Sequence, residues 1–406
     1  MNIVMISPGF PVEQPFFTRG LARQGHSVIG LGDQNEHDLP EMAKRALSAY
    51  LQIGSFTDES AVASKIAEAA KQVRIDRIEC TWEPFMVLAA KLRQMLSLPG
   101  MTVEQTIPFR DKEVMKQVLD RNGIRTPKHV STTTKHGVRE AAAQIGYPIC
   151  VKPISGAGSA DTYRVNSEEH LEQILPLLGH VQEVSVEEFI EAEEFTFDTV
   201  CANGEIKFFN ICSYRPRPLT GRTHQWISQQ TIAVRNVFDA AYDSGREMGT
   251  AVIKALGFRD GFTHMEWYRK PDGEAVFGEI AARPPGANTV DLMNYANDFD
   301  IYEGWAEAVG KGSFSQPVSR AYNAGHIFKR AQGEGRIQRI EGLEALMSDY
   351  GQHICVVDLL PIGAQRRDWK QTLRSDGMII VRHPDFGTTC EILDQIGMRL
   401  QMYAGG

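Results

Sequence analysis

No apolar run in these 406 residues approaches the roughly 20 that a membrane-spanning helix needs, so a transmembrane segment is not expected. The first residues, MNIVMISPGF, have no basic region ahead of a long apolar one, so a signal peptide is not expected and a cytoplasmic location is. Positive charge is not in excess. Lys and Arg number 43 against 51 Asp and Glu, for a formal net charge of -8. Broad nucleic-acid binding needs a basic field and is excluded, although a local basic pocket is not. Cysteine is scarce. Cys80, Cys150, Cys201, Cys212, Cys355 and Cys390 form no Cys-x-x-Cys pair and sit mostly in apolar runs, which points to buried reduced thiols rather than disulfides or a metal site. Internal repeats and low-complexity tracts are also missing.

What is present suits two to three packed domains. An apolar run over 3–7 is followed by a helical pattern over 13–24, a stop at Gly25 and a second apolar run over 27–31, which is a βαβ beginning. Helices over about 60–72 and 84–96, with a strand at 77–80 between them, complete a small doubly wound α/β domain. Its first turn, Ser7-Pro8-Gly9-Phe10-Pro11, lacks the G-x-G-x-x-G fingerprint, and two prolines leave few free amides for a pyrophosphate. NAD binding is therefore not expected. An amphipathic helix over 111–122 precedes strand patterns at 147–153, 161–165, 183–189, 195–200 and 206–213. A helix over 239–256 leads to two runs, 264–269 and 275–281. The turn residues 270–273 make them a hairpin. Short strands and two helices follow residue 320.

Four constellations carry chemistry. The strand Pro148 to Pro153 delivers Lys152 directly into Ser155, Gly156, Gly158 and Ser159, a small-residue loop whose amides can approach phosphate oxygens beside the lysine charge. Lys112, at the start of its helix, is an ordinary first-turn charge unless it serves the same nucleotide. The run Val184 to Ile190, containing Glu187, Glu188, Phe189 and Ile190 and followed by Glu194, suits an adenine slot with an acid for the ribose; it equally suits a solvated acidic turn. Finally, strand alternation puts Glu266 on one face with His264 and Tyr268, where Glu279 can face it across the hairpin. Two carboxylates that close in an apolar sheet repel unless a cation lies between them, and Mg²⁺ takes oxygen ligands while keeping phosphates in its shell. Arg283 follows on the Glu279 face, where its fork could pin a transferring phosphate or a carboxylate.

In this order (lysine, strand lysine with glycine loop, acidic hinge, carboxylate hairpin, arginine) the chain resembles the ATP-grasp family over roughly residues 105–310. The segments Leu256 to Glu266 and Glu279 to Arg283 are similar to the bacterial L-amino acid ligases that make dipeptides, and to carnosine synthase. The resemblance implies an α/β fold, in part α+β: an N-terminal α/β domain over 1–105, a central region and ATP lid over 106–190, an ATP-binding lobe with the metal site over 191–310 and a C-terminal extension over 311–406. It implies ATP and Mg²⁺ as cofactors, with Mn²⁺ able to replace the magnesium, and small-molecule carboxylate and amine substrates. Lys112, Lys152 and the loop Ser155 to Ser159 would hold the phosphates, Glu187 to Ile190 adenine and Glu194 ribose. Glu266 and Glu279 would hold the metal, and Arg283 with Lys152 would act in catalysis. Glu83, Arg215, Arg283 and Gly286 would bind substrate. A homodimer is common in the family.

The alternatives stay open at several of these positions. Glu83 is equally an acid favoured at a helix N-terminus. Arg215, Arg217, Arg222 and His224 form either an acceptor-side loop for a substrate carboxylate or a solvated basic loop. Three departures stand out: Asp161 where many relatives have glycine, Ala281 where biotin carboxylases have asparagine, and Ala287 where the amino acid ligases often have tryptophan. The last suggests a roomier second-substrate pocket. The expected reaction is ATP-dependent activation of a carboxylate, followed by coupling to an amine. A purine-pathway ligase, a bicarbonate carboxylase and a non-catalytic nucleotide-binding regulator are the competing readings.

Overall fold

The computed structural model describes residues 1–154, 161–372 and 374–406. Its first sheet is parallel, in the order Ala49–Gln52, Ser27–Gly32, Asn2–Ile6, Arg77–Glu79. The near-continuous apolar strands follow from burial on both faces. Val4 and Ile6 pack with Ile66 and Leu92 of the helices Glu59–Gln72 and Met86–Leu96. Ile3 and Met5 pack on the other side with Phe17, Tyr302 and Trp305. That second face locks the domain against the helix Ile301–Lys311, far along the chain. The strand Ala49–Gln52 and the helix Glu41–Ala46 had no sequence signal, being only 4 and 6 residues long.

The second sheet is antiparallel and has the order His129–Thr132, Val184–Glu188, Ile149–Pro153, Tyr163–Val165. The helices Lys135–Ile145 and Glu168–Ile174 close over it around Val151, Val186, Ala142 and Leu171.

The third sheet has nine strands, every pair antiparallel. Its order is Ala275–Ala281, Gly261–Arg269, Glu193–Ala202, Cys212–Arg215, Gln230–Ala233, Asn323–Lys329, Gly377–His383, Ile354–Leu359, with Glu205–Asn210 paired beside Glu193–Ala202. The single run read at 206–213 is two strands, because the chain leaves one neighbour of Glu193–Ala202 and returns as the other. The sheet runs on through residue 310, since Asn323–Lys329 pairs directly with Gln230–Ala233. The helix Asp243–Ala255 covers one face over Trp267, Phe197 and Phe277. The opposite face carries the polar residues described next.

All six cysteines are unpaired; Cys201 and Cys212 are buried, while Cys80, Cys150, Cys355 and Cys390 are only half-buried. No helix among the described residues is long and apolar enough to cross a membrane.

Candidate active site

A cleft of about 640 Å³ opens between the second and third sheets and the segments that follow two strands of the first, lined by residues of all three parts. Its floor is the uncovered face of the nine-stranded sheet. Glu266 lies directly opposite Glu279 on one neighbouring strand and Thr196 on the other. One strand step away, His264 faces Ala281 and Asp198, and Tyr268 faces Glu194. A bulge makes this possible: the pairing jumps from Glu266–Glu279 to Trp267–Phe277, leaving Gly278 as the extra residue. A Cβ at Gly278 would come within 2.7 Å of the Glu266 carbonyl oxygen, so only glycine fits that kink.

Each acid on this floor is held. Tyr214 donates its hydroxyl to Glu266 (3.1 Å). His264 Nδ1 meets Asp198 at 2.6 Å, and Asp198 accepts from the Thr196 hydroxyl at 2.7 Å. Burial opposes charge on His264, but Asp198 prevails and lifts its pKa to about 9. Burial and then the charge of Glu266 raise Glu194 to about 7, against the pull of Arg217.

The cations converge as the sequence suggested, with one addition. Lys112 Nζ lies 3.3 Å from Glu279, and Lys152 Nζ 3.0 Å from Glu187. Asp111 places Lys112 by capping the helix Lys112–Arg121, accepting from the amides of Glu113 and Val114. Lys116, overlooked in the sequence, is 1 % exposed and also bonds Glu187. It stands one turn beyond Lys112, on the same helix face as buried Met115 and Leu119. That i, i+4 lysine pair was the available signal. Burial works against the Glu187 charge, yet the two lysines hold its pKa far below the usual carboxylate range.

The acidic run does not behave as a uniform adenine slot. Glu187 turns inward to the lysines, so its side chain is a counter-ion. Glu188 is held by Arg125 at 3.0 Å and by the Lys128 amide. Phe189 lies between the guanidinium groups of Arg164 and Arg217, at 4.5 and 4.9 Å. Arg217 also donates to Glu194 (2.9 Å) and to the Ile190 carbonyl (2.6 Å). Residues Ser155, Gly156, Gly158 and Ser159 lie outside the described residues.

On the substrate side Glu83 is 8 % exposed and is gripped by Arg110 and by Arg283 (Nε to Oε2, 2.8 Å). Burial alone would raise its pKa, but Arg283 and Arg110 lower it. Gly286 borders open space, with nothing within 4 Å of where a Cβ would sit. Arg215 is a correction. It bonds Gln230 (2.8 Å) and Asp394 (3.1 Å) and takes no part in the cleft lining. Alternation along Cys212–Arg215 turns Tyr214 into the cleft and Arg215 away from it. Arg217 and Arg222 line the cleft in its place.

Among the described residues no group of three or more His, Cys, Asp or Glu side chains could hold a metal ion unaided. Glu266 and Glu279 offer oxygen donors only, which fits Mg²⁺ bound by one or two carboxylates with phosphate and water completing its shell.

Comparison with known proteins agrees with this architecture. Residues 22–100 match the ATP-grasp N-terminal domain and residues 117–296 the ATP-grasp domain. The chain is 29% identical over 258 residues to an L-arginine-specific L-amino acid ligase of Bacillus subtilis, covering 62% of each. It is 26% identical over 260 residues to an alanine–anticapsin ligase of Bacillus subtilis, covering 57% of this chain and 53% of that one. The matches thus span under two thirds of these relatives' own length. The crystal structure of an L-amino acid ligase from Bacillus licheniformis shares the fold with a TM-score of 0.80 at 20% identity, covering 100% of this chain and 99% of that one. N5-carboxyaminoimidazole ribonucleotide synthetase from Thermotoga maritima does so at 0.73 and 19%, with the same coverage.

Proposed function

Because the chain belongs to the ATP-grasp superfamily, we propose that it is an ATP-dependent carboxylate–amine ligase that releases ADP and phosphate, with an amino acid as the activated acid. One observation carries the reading: Glu266 and Glu279 face each other across the bulged hairpin, with Lys112 against Glu279 and Arg283 in the same cleft. Amino acids as substrates are supported by the two Bacillus subtilis ligases, whose names specify them.

In this reading a carboxylate oxygen of the substrate attacks the γ-phosphorus of ATP, the bond to the leaving ADP oxygen breaks, and an acyl phosphate forms. Lys112 and Lys152 neutralise the phosphate oxygens and position them. Glu266 and Glu279 would hold magnesium, which would supply further charge neutralisation when bound. The amine nitrogen of the second substrate then attacks the acyl carbon, phosphate leaves, and the amine gives up a proton. Arg283 steadies the developing oxyanion. Glu83, an ionised acid in the same cleft, is suited to an ammonium group, and Arg110 and Arg283 hold it in place. The backbone beside Ile190 offers an edge to adenine, and Glu194 an acceptor for ribose hydroxyls.

The test is ADP release from Mg-ATP with pooled amino acids, small carboxylates and bicarbonate in separate arms, with product masses recorded. Amino-acid-stimulated release and a mass equal to two substrates less water are expected. Stimulation by bicarbonate alone would replace the ligase with a carboxylase, and nucleotide binding without stimulated turnover would make the chain a regulator. A homodimer is the expected oligomer, to be checked by light scattering.

A further inference from the structure

Coupling an amine to an acyl phosphate needs a group that takes a proton from the amine. Among the described residues seven glutamates line the cleft, and six of them are paired with a lysine, an arginine or the His264 imidazolium. Glu13 has no such cation among the described residues. It stands at the start of the helix Gln14–Arg23 but does not cap that helix with its side chain. Instead its Oε1 accepts from the Asn288 amide at 3.2 Å, in the turn that follows Arg283. Beside it, Gln14 Oε1 accepts from the Thr81 hydroxyl at 2.6 Å, two residues before Glu83. Glu13 and Gln14 thus sit between the two segments that carry the Glu83–Arg283 ion pair. Glu13 lines the cleft at 9% exposure. Burial is the largest influence on its pKa and raises it; the amides of Asn288 and Glu13 pull it down, Asp291 pushes it up, Arg374 opposes, and the net shift is upward from 4.5. A base works best when its pKa approaches the working pH.

We propose, resting on the ligase reading above, that Glu13 binds the ammonium group of the amine substrate and removes one proton from it. The nitrogen–hydrogen bond breaks, its electron pair stays on nitrogen, and the proton passes to a carboxylate oxygen of Glu13. The neutral amine attacks the acyl carbon; the carbon–nitrogen bond forms and the bond from that carbon to the phosphate oxygen breaks. The second proton, lost from nitrogen as the amide forms, leaves with the phosphate, and Glu13 returns its own to water. The paired acids suit this task less well. Cations lower the pKa of Glu83 and Glu187, which weakens each as a base. Glu194 is also raised, but Arg217 holds it beside the Ile190 carbonyl, at the nucleotide end.

The experiment supplies Mg-ATP and pooled amino acids to the native chain, Glu13→Gln and Glu13→Asp, and measures dipeptide by mass. A parallel arm adds hydroxylamine and measures hydroxamate. Hydroxylamine is largely uncharged at neutral pH and needs no base before it attacks. Glutamine keeps the size of glutamate and an oxygen for the Asn288 amide, and loses only the proton acceptor. Glu13→Gln should slow dipeptide formation about a hundredfold or more, with hydroxamate formation close to native and the melting temperature unchanged. Glu13→Asp, which keeps a carboxylate, should form dipeptide faster than Glu13→Gln. Native-like dipeptide formation in Glu13→Gln overturns the proposal. So do equal losses of dipeptide and hydroxamate, which would place Glu13 in acid activation or in packing, and so does a Glu13→Asp rate no better than that of Glu13→Gln. A native chain that forms neither dipeptide nor hydroxamate overturns the ligase reading itself, an outcome distinct from those three.

Discussion

Glu187 carries a full charge at 3% exposure, a burial that costs several kcal/mol unless the charge is paired. Lys116 and Lys152 supply that pairing, and the arrangement fixes where Lys152 can reach. Replacing Lys116 by Met should destabilise the fold by up to about 3 kcal/mol, the low end for a broken buried pair because Lys152 still compensates. Urea unfolding measures this, and an unchanged midpoint would remove Lys116 from the ion network. Lys152→Ala should weaken ATP binding at least tenfold by calorimetry, and an unaltered affinity would contradict its assignment to the phosphates. Glu279→Gln keeps size and hydrogen bonding but loses the charge a divalent ion needs. It should abolish magnesium-dependent turnover with the circular dichroism spectrum intact, and near-normal kcat would take Glu279 out of the metal site. At this scale the sequence exposed residues by type and local context. It singled out Lys152, Glu266 and Glu279, which line one cleft, but passed over Lys116, whose partner Glu187 lies 71 positions away. It misassigned Arg215 because a strand's facing cannot be read in a segment bounded by prolines on one side and a strand crossing on the other.

The hairpin Gly261–Arg269 and Ala275–Ala281 shows what an element adds to its residues. Alternation alone put Glu266 and Glu279 on one face, but the bulge at Gly278 sets their register. Gly278→Ala should force the Glu266 carbonyl away from a 2.7 Å contact, at about 1–3 kcal/mol, with turnover falling more than stability explains. Activity retained alongside a lowered melting temperature would separate the kink from the chemistry. A second junction joins the helix Lys112–Arg121 to the strand His129–Thr132 of the second sheet. His129 places its ring nitrogens 3.0 Å from Glu113 and 3.0 Å from Asp120. Burial, and Lys116 nearby, lower its pKa, but the two carboxylates outweigh them and the net shift is upward from 6.5. A group whose pKa rises on folding stabilises fully below its unfolded value and loses that contribution as pH climbs through the folded one. His129→Ala should therefore cost more stability at pH 6 than at pH 9; equal costs at both would show that the charge does not matter there. Elements with strong periodicity, such as the helices at 14–23 and 59–72, were legible within a residue or two. The edge strand Ala49–Gln52 and the division of 206–213 into two strands were not, because pairing partners rather than local pattern decide them.

Across the whole molecule the cleft exists only because the second and third sheets and the segments that follow the first sheet's strands close around it. A nucleotide that bridges the second and third sheets should stabilise them together. Mg-ATP at 100 times its Kd should add about 2.7 kcal/mol to the unfolding free energy. Chelating the metal with EDTA should remove most of that gain if Glu266 and Glu279 hold the ion; an undiminished gain would place nucleotide affinity in the lysines alone.

By itself the sequence determined the doubly wound start, the order of the chemical motifs and the carboxylate hairpin, because helical and strand periodicity, turn residues and motif spacing are local properties of the chain. Tertiary structure alone decided that Lys116 shares Glu187 with Lys152, that Glu83 meets Arg283 from 200 positions away, that Arg215 turns from the cleft and that Glu13 meets the Asn288 amide in its wall. Those facts are distances between residues remote in the chain, and packing sets such distances only after every local element has formed.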